Sequence, residues 1–179
     1  MAQLPDPLDR LDAEGRKVYE RITARRGPIR GPYAPLMHHP ALAEPVAALG
    51  EFLRFDGALP ADVRELAILI TARAVRQPFE WVMHEPIARR AGLPAEVIEH
   101  VRRRGDPSQL PDRYADAARV VAHVLGFESI PADLQARAEA ALGVQGLLEL
   151  VVLAGFYRLI AGVLFAFDVP LPAGERPPF

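Results

Sequence analysis

The sequence contains no cysteine among its 179 residues. Disulfides, thiolate metal sites and cysteine nucleophiles are therefore excluded for this chain. An excess of one charge sign is also lacking, because 21 basic and 23 acidic residues give a formal net charge of −2. This balance favours neither nucleic acid nor an anionic membrane as a partner. The partner that remains to be expected is a small molecule or another protein.

Strand patterns are absent as well. No segment alternates between apolar and polar residues over the length of a strand, whereas almost every segment repeats its apolar residues at helical spacing. The prediction is an all-α fold in one domain, residues 1–179, because this length suits a single core. The first ten residues lack the basic-then-apolar order of a signal peptide, so the cytoplasm is the expected compartment.

Prolines and glycines mark the ends of the predicted helices. Pro60, Pro94 and Pro131 each precede an alanine and a carboxylate, a pattern that starts a helix and meets the positive end of its dipole. Segment 31–40 holds three prolines and is predicted to be irregular. The proline-rich tail 168–179 is expected to wrap over a neighbour or to be mobile. The predicted helices cover about 8–25, 42–55, 61–76, 79–91, 95–104, 112–125, 132–142 and 145–167.

The most apolar stretch, residues 144–167, is long enough to raise the question of a membrane span. It carries Glu149 and Arg158, and each of these charges would be costly in a bilayer core. A central core helix or a subunit-interface helix accounts for the same composition more simply. No membrane association is therefore predicted.

One stretch of the sequence combines residues suited to proton transfer. Glu80 and His84 are four residues apart, so they share one face of a helix and can touch. A carboxylate beside an imidazole orients the ring and favours its protonated form. Phe79 and Trp81 would supply an apolar wall. Glu65, on the preceding helix, is predicted to point into the core, where a carboxylate needs a partner.

Other interpretations of these residues stay open. A Glu/His pair at this spacing is commonly a solvent-exposed pair, and a lone tryptophan is commonly part of the core. A metal site built on Glu80 and His84 would need a third ligand, for which His38 and His39 are weak candidates. No metal and no cofactor are therefore predicted.

The stretch from Arg64 to Leu93 resembles the core motif of the carboxymuconolactone decarboxylase/alkylhydroperoxidase D superfamily. The redox branch of that superfamily has a glutamate, then a Cys-x-x-Cys at the start of the next helix, then a histidine four residues beyond the second cysteine. Glu65 and His84 match the glutamate and the histidine, while Gln77 and Glu80 stand where the cysteines would be. The sequence is thus similar to the cysteine-free subgroup of the superfamily.

The resemblance covers about residues 30–170 and implies an alkylhydroperoxidase D-like bundle of about seven helices. Residues 1–27 would add an N-terminal helix and residues 168–179 a tail. Superfamily members assemble as trimers or hexamers, so a homo-oligomer is expected, with the pocket near a subunit boundary. Peroxidase activity of the dithiol type is excluded, because no thiolate is present to attack a peroxide.

The leading functional hypothesis is a cofactor-free acid/base enzyme of the decarboxylase or isomerase type, which would class it as a lyase or isomerase acting on a small carboxylated or lactone substrate. His84 would transfer the proton, Glu80 would orient the His84 ring and tune its basicity, and Glu65 would be a second acid/base or a proton relay. The residues assigned to substrate binding are Trp81, Tyr33, Tyr157 and His38 as pocket lining, with Arg64 or Arg73 holding a carboxylate. Two alternatives are a non-catalytic small-ligand-binding module and a structural oligomer with a buried Glu/His network.

Overall fold

Eight α-helices form the regular structure of residues 3–179, the part of the chain described in a computed structural model, and no strand occurs within that part. The prediction of an all-α fold is confirmed. The helices are α1 (Ala13–Arg26), α2 (Tyr33–Leu36), α3 (Pro40–Glu51), α4 (Ala61–Ala74), α5 (Pro78–Arg90), α6 (Ala95–Arg102), α7 (Asp112–Gly126) and α8 (Ala132–Ala166).

Two predicted features differ from the structure. Segment 31–40 is not wholly irregular, because Tyr33–Leu36 form one helical turn. Pro35 is tolerated there since the first N–H groups of a helix have no partner within the helix. The predicted helices 132–142 and 145–167 join into the single run α8. They are still separated by a break at Gly143, whose φ of +71° lies in the left-handed region that favours glycine.

A π-helical turn, Phe52–Asp56, follows α3 directly. Such turns are rare, and they occur disproportionately at functional sites. The chain after this turn is anchored from α8, because the Glu149 carboxylate accepts hydrogen bonds from the backbone N–H groups of Ala58 (2.9 Å) and Leu59 (3.0 Å). Glu149, whose charge would be costly in a membrane, thus has a structural role in the folded protein, because it holds the loop that leads into α4.

The buried apolar side chains form two clusters. The larger one lies among α4, α5, α6, α7 and α8, where the main helix contacts are α4 with α5, α4 with α8, and α7 with α8. The smaller one joins α1, α2 and α3 and consists of Val18, Ile22, Leu36, Met37, Ala43 and Ala47. Because α1 and α3 pack mainly on each other, the N-terminal helices form a separate layer beside the main core.

Helix α8 is long and apolar enough to span a membrane by length and composition, and half of its most apolar window is buried inside the protein. The buried half includes Leu150, Leu153 and Ile160 of the main core. The proline-rich tail after α8 lies against the chain itself. Phe179 packs edge-on against Trp81 with ring centroids 5.5 Å apart, and the Pro178 carbonyl accepts a hydrogen bond from Arg102 (3.3 Å).

Replacing Glu149 with glutamine is expected to destabilise the fold. The amide keeps one oxygen acceptor but turns an NH2 group toward one of the two backbone N–H donors. One charge-assisted hydrogen bond is therefore lost, and two donors face each other in its place. We expect the free energy of unfolding to fall by about 1–3 kcal/mol in urea titrations. Glu20→Gln, at an exposed position of α1, is the matched control and should change it by less than about 0.5 kcal/mol. Equal losses in the two variants would contradict this role for Glu149.

Candidate active site

Three titratable side chains are buried together at the packing of α4 against α5. Glu65 on α4 is 2% exposed, and Glu80 and His84 on α5 are each 5% exposed. Helix α5 starts at a turn in which the Gln77 side chain accepts a hydrogen bond from the Phe79 N–H (3.0 Å). Glu80 therefore lies in the first turn of α5, and His84 lies one turn further along the same face.

The His84 ring is held at both nitrogens. Its Nδ1 lies 2.8 Å from Oε2 of Glu65, while its Nε2 lies 3.1 Å from the Tyr157 hydroxyl and 3.5 Å from Oε2 of Glu80. The Tyr157 ring meets the imidazole edge-on, with centroids 5.1 Å apart. Glu65 is thus in hydrogen-bonding contact with His84 and Glu80 is at a longer distance, which reverses the expectation that Glu80 is the carboxylate that orients the ring.

The two carboxyl groups differ in their electrostatics. Burial alone would raise the pKa of Glu65, but the hydrogen bond and charge of His84, with the charge of Arg64, outweigh burial and leave that pKa below its ordinary value. Burial raises the pKa of Glu80, against the opposing charges of His84 and Arg54. Glu65 is therefore the ionised partner, and Glu80 favours its neutral, protonated form.

This difference fixes what the histidine can do. An ionised Glu65 can only accept a hydrogen bond, so Nδ1 carries the proton and donates it in that bond, and the neutral ring has its lone pair on Nε2. Burial, and then the charge of Glu80, raise the pKa of Tyr157 well above its ordinary value, so its hydroxyl stays protonated and can donate to Nε2. The arrangement of Glu65, His84 and Tyr157 can accept and return a proton at a defined atom.

A cavity of about 400 Å³ lies between the N-terminal layer and the main core, and His84, Glu80 and Tyr157 line it. Glu65 does not line it, so the Nδ1 edge of the ring faces the protein and the Nε2 edge faces the cavity. The volume falls in the range of small-molecule sites. The other lining residues are Ile22, Arg26, Gly27, Pro28, Ile29, Arg30, Pro32, Tyr33, Arg54, Phe79, Met83, Phe156 and Ile160.

Gly31 allows the loop after α1 to lie directly on the cavity wall. Its φ is +59°, and a Cβ at this position would lie 2.5 Å from the ring of Phe79. Any other residue would push the loop off Phe79. The close approach of this loop thus closes one side of the cavity, while Met83 and Arg30, both exposed, leave the cavity open to solvent elsewhere.

The structure brings some of the predicted pocket residues to the cavity and places others elsewhere. Tyr33 and Tyr157 line it as expected. Trp81 is wholly buried on another side of α5, where its indole N–H donates to Glu85 (2.6 Å) and Arg102 lies over its ring. Trp81 does not line this cavity, and the expectation that it does is wrong.

Three further predicted residues lie outside the cavity. Arg73 lies under the Phe179 ring and donates to the carbonyl of Arg102 (2.6 Å). The His38 ring contacts the carbonyl of Pro5 (3.0 Å) near the N-terminus. Arg64 is 3.5 Å from Glu65 but is not part of the cavity wall. These three residues therefore do not line this cavity, and the structure does not place them to hold a substrate carboxylate in it.

Three arginines that the sequence did not single out line the cavity instead: Arg26 at the end of α1, Arg30 in the loop after it and Arg54 in the π-helical turn. The sequence held one signal for Arg54, a single basic residue among Phe52, Leu53 and Phe55. Arg26 had none, because basic residues are ordinary in the last turn of a helix. Within residues 3–179, no group of three His, Asp or Glu side chains is arranged to hold a metal ion.

Comparison with solved structures shows the same fold. An uncharacterised peroxidase-related protein from Ralstonia eutropha JMP134, described as an alkylhydroperoxidase AhpD core, has a TM-score of 0.77 and 19% identity, over 96% of this chain and 93% of that one. The debrominase Bmp8, as a cysteine-to-alanine variant in complex with 2,3,4-tribromopyrrole, has a TM-score of 0.70 and 15% identity, over 97% and 94% of the two chains. The apo form of Bmp8 has a TM-score of 0.66 and 13% identity, over 90% and 87%.

Sequence comparison agrees with the fold. Among curated proteins, none is significantly similar in sequence to this chain. Residues 40–125 match the model of the carboxymuconolactone decarboxylase family, and this segment contains Glu65, Glu80 and His84. The segment that contains the site thus matches the carboxymuconolactone decarboxylase family, and the chain has an alkylhydroperoxidase D-like fold and no cysteine.

Proposed function

We propose that this protein is an acid/base enzyme that decarboxylates or isomerises a small carboxylated or lactone substrate, with no step that requires a cofactor. The observation that carries the proposal is the direction of the His84 ring. Its Nδ1 is held by the ionised Glu65 and its Nε2 edge faces an open cavity of about 400 Å³. A histidine oriented by a buried carboxylate is a general arrangement for proton transfer.

The proposed roles follow from the distances. In an isomerisation, His84 Nε2 takes a proton from one carbon of the substrate and returns it to another. In a decarboxylation, Nε2 first takes a proton from solvent and then delivers it to the carbon from which carbon dioxide departs, where the electrons of the broken C–C bond form the new C–H bond. Glu65 fixes the tautomer of the ring. Glu80, whose pKa burial raises, donates a hydrogen bond from its protonated form to the oxygen on which negative charge develops. The Tyr157 hydroxyl contacts Nε2 and holds the ring from the other side.

The relatives point to two further chemistries, peroxide reduction and debromination. A thiol-dependent version of either is closed to this chain, because it has no cysteine. Bmp8 supports the proposal in one respect, since a small cyclic molecule binds to a protein of this fold. Of the two earlier alternatives, the structural oligomer fits less well. A structural Glu/His network predicts a closed cavity, whereas this one is lined in part by exposed residues.

We expect His84→Ala to lose turnover by about 100-fold or more on any true substrate, because the group that moves the proton is removed. The measurement is turnover of a panel headed by 4-carboxymuconolactone and related lactone acids. Glu65→Gln should lose activity too, since a neutral amide no longer fixes the Nδ1 proton. Trp81→Phe is the matched control on α5, because Trp81 lies outside the cavity and should keep kcat within a few-fold. Full turnover by His84→Ala would contradict the proposal. Saturable binding without turnover, unchanged by His84→Ala, would favour a binding module.

The protonated state of Glu80 has a separate test that needs no substrate. A carboxyl group whose pKa is higher in the folded than in the unfolded chain stabilises the folded protein at pH values below its pKa in the unfolded chain. That stabilisation is lost as the pH rises through the pKa of the group in the folded protein. Wild type should therefore lose stability relative to Glu80→Gln as the pH rises from below about 4.5. We expect the difference in free energy of unfolding to change by about 1 kcal/mol or more between about pH 4 and about pH 8. A constant difference across this range would show that Glu80 is not held neutral, and Glu20→Gln is the exposed control.

We also infer that the protein is a homo-oligomer, a trimer or a hexamer as its superfamily implies. The support is an apolar stripe on the exposed side of α8, where one face presents Val144, Leu148, Val152, Gly155, Leu159 and Gly162. Leu148 is 60% exposed and Leu159 is 50% exposed. Contiguous exposed apolar surface of this kind marks interaction sites, and a second copy of the chain offers the same surface.

A charge on this stripe should break the assembly. We expect Leu148→Asp combined with Leu159→Asp to convert the oligomer to monomers, because each carboxylate would be buried without a partner. Light scattering coupled to size exclusion measures the mass. Leu8→Asp, an exposed leucine near the N-terminus and away from α8, should leave the mass unchanged. A monomeric wild type, or an unchanged mass in the double variant, would contradict the inference.

A further inference from the structure

Positive charge dominates the polar part of the cavity wall. Arg26, Arg30 and Arg54 line it, and Glu80 is the one carboxyl group among the lining residues. Three guanidinium groups against one carboxyl group leave an excess of positive charge on the wall even when Glu80 is ionised. A cavity of this kind favours an anionic ligand.

Arg54 is the arginine best placed to meet such a ligand. It is half-buried in the π-helical turn Phe52–Asp56, and the two acids nearest to it in sequence, Glu51 and Asp56, are paired with Arg25. Within residues 3–179, no carboxylate lies at ion-pair distance from Arg54, whose guanidinium lies 4.9 Å from the centre of the Phe55 ring. The Arg54 side chain is thus oriented by an aromatic ring, while its N–H donors form no ion pair with a carboxylate of the described residues.

Arg26 adds a second positive charge to the same wall. Its Nη2 donates to the carbonyl of Ala47 (2.8 Å), and its guanidinium lies over the Tyr33 ring at 4.7 Å. Its Nε is buried, so Arg26 is held by the protein and contributes charge to the cavity, while Arg54 is the arginine whose donors no carboxylate occupies.

We propose that Arg54 is the anchor for the carboxylate of a small organic acid whose apolar body packs on Phe79, Phe156 and Ile160. The proposal deepens the proposed function and rests on it for the chemistry that follows binding. Arg54 is the specificity-determining residue in this arrangement, because a planar guanidinium matches a carboxylate with two hydrogen bonds. The anchor replaces Arg64 and Arg73, which lie outside the cavity.

Binding of matched acids and amides tests the anchor without any turnover. We would titrate benzoate and phenylacetate, with benzamide and phenylacetamide as neutral partners, by calorimetry. Wild type should prefer each acid by about tenfold or more, Arg54→Gln should lose that preference, and Arg90→Gln, an exposed arginine on α5, should keep it. Arg54→Gln should unfold at the same urea concentration as wild type, because no ion pair is removed. No preference in wild type, or a preference that survives Arg54→Gln, overturns the anchor.

The His84→Ala variant separates the two proposals. The acid preference should survive in His84→Ala, because the anchor does not depend on proton transfer. If that preference is present but neither wild type nor variant turns over any acid, the anchor stands and the enzymatic proposal fails. If wild type turns over an acid and Arg54→Gln does so with unchanged KM, the enzymatic proposal stands and the anchor fails. A rise in KM of about tenfold or more with little change in kcat is the result expected when both are right.

Discussion

The hydrogen bond between Glu65 and His84 is the contact on which the site depends. It joins α4 to α5 at 2.8 Å, and both partners are almost fully buried. A buried carboxylate that loses its partner costs about 3–5 kcal/mol, so the two residues can exist at these positions only as a pair. The pair also selects the tautomer of His84. An ionised Glu65 accepts a hydrogen bond from Nδ1–H, which leaves the lone pair on Nε2, on the side of the cavity. Stability and chemistry therefore depend on the same atoms.

The cavity exists because the N-terminal layer does not pack fully onto the main core. Helices α1 to α3 bury their own cluster, and their contact with α5 is made through the loop at Gly31, which lies on the Phe79 ring. The opposite end of the site is held from α8. There Tyr157 touches His84 and, further toward the N-terminal end of the helix, Glu149 fixes the loop after the π-helical turn that carries Arg54. One long helix thus positions both the reactive ring and the proposed anchor.

Sequence periodicity was enough to predict most of this fold and the centre of the site. The spacing of Glu80 and His84 placed these two on one face of a helix, and the apolar neighbours of Glu65 turned that carboxylate into the core. The spacing permitted a contact between Glu65 and His84 without predicting it, and the structure shows that contact at 2.8 Å. Helical geometry also explains the error at Trp81. A residue one position after Glu80 is rotated by about 100° around the axis, so it belongs to the face of Glu85, with which it bonds. That error was avoidable from the sequence alone.

The misplaced arginines have another cause. Arg73 lies eight residues along α4 from Glu65, about 12 Å by helical rise, which separates it from the site even on a shared helix. Arg26 and Arg54 reach the cavity only because α1 and the π-helical turn pack beside α5 and α8, and such long-range packing leaves no local pattern in the sequence. Local spacing identifies residues on one helix or on two helices that follow each other. It does not identify walls that come from distant segments.

The positions that hold cysteines in the redox branch of the superfamily show how the chemistry has changed. Gln77 uses its side chain to cap α5, a structural task, and Glu80 occupies the first turn of that helix. The helix dipole there favours the ionised carboxylate by about 0.3–1 kcal/mol, up to about 2 when partly buried. Desolvation of a buried carboxylate costs several kcal/mol and opposes it. Burial wins, so the pKa of Glu80 is raised. Where the redox branch has a thiol, this chain thus has a carboxyl group 3.5 Å from a histidine nitrogen, and the proposed proton transfer rests on that pair.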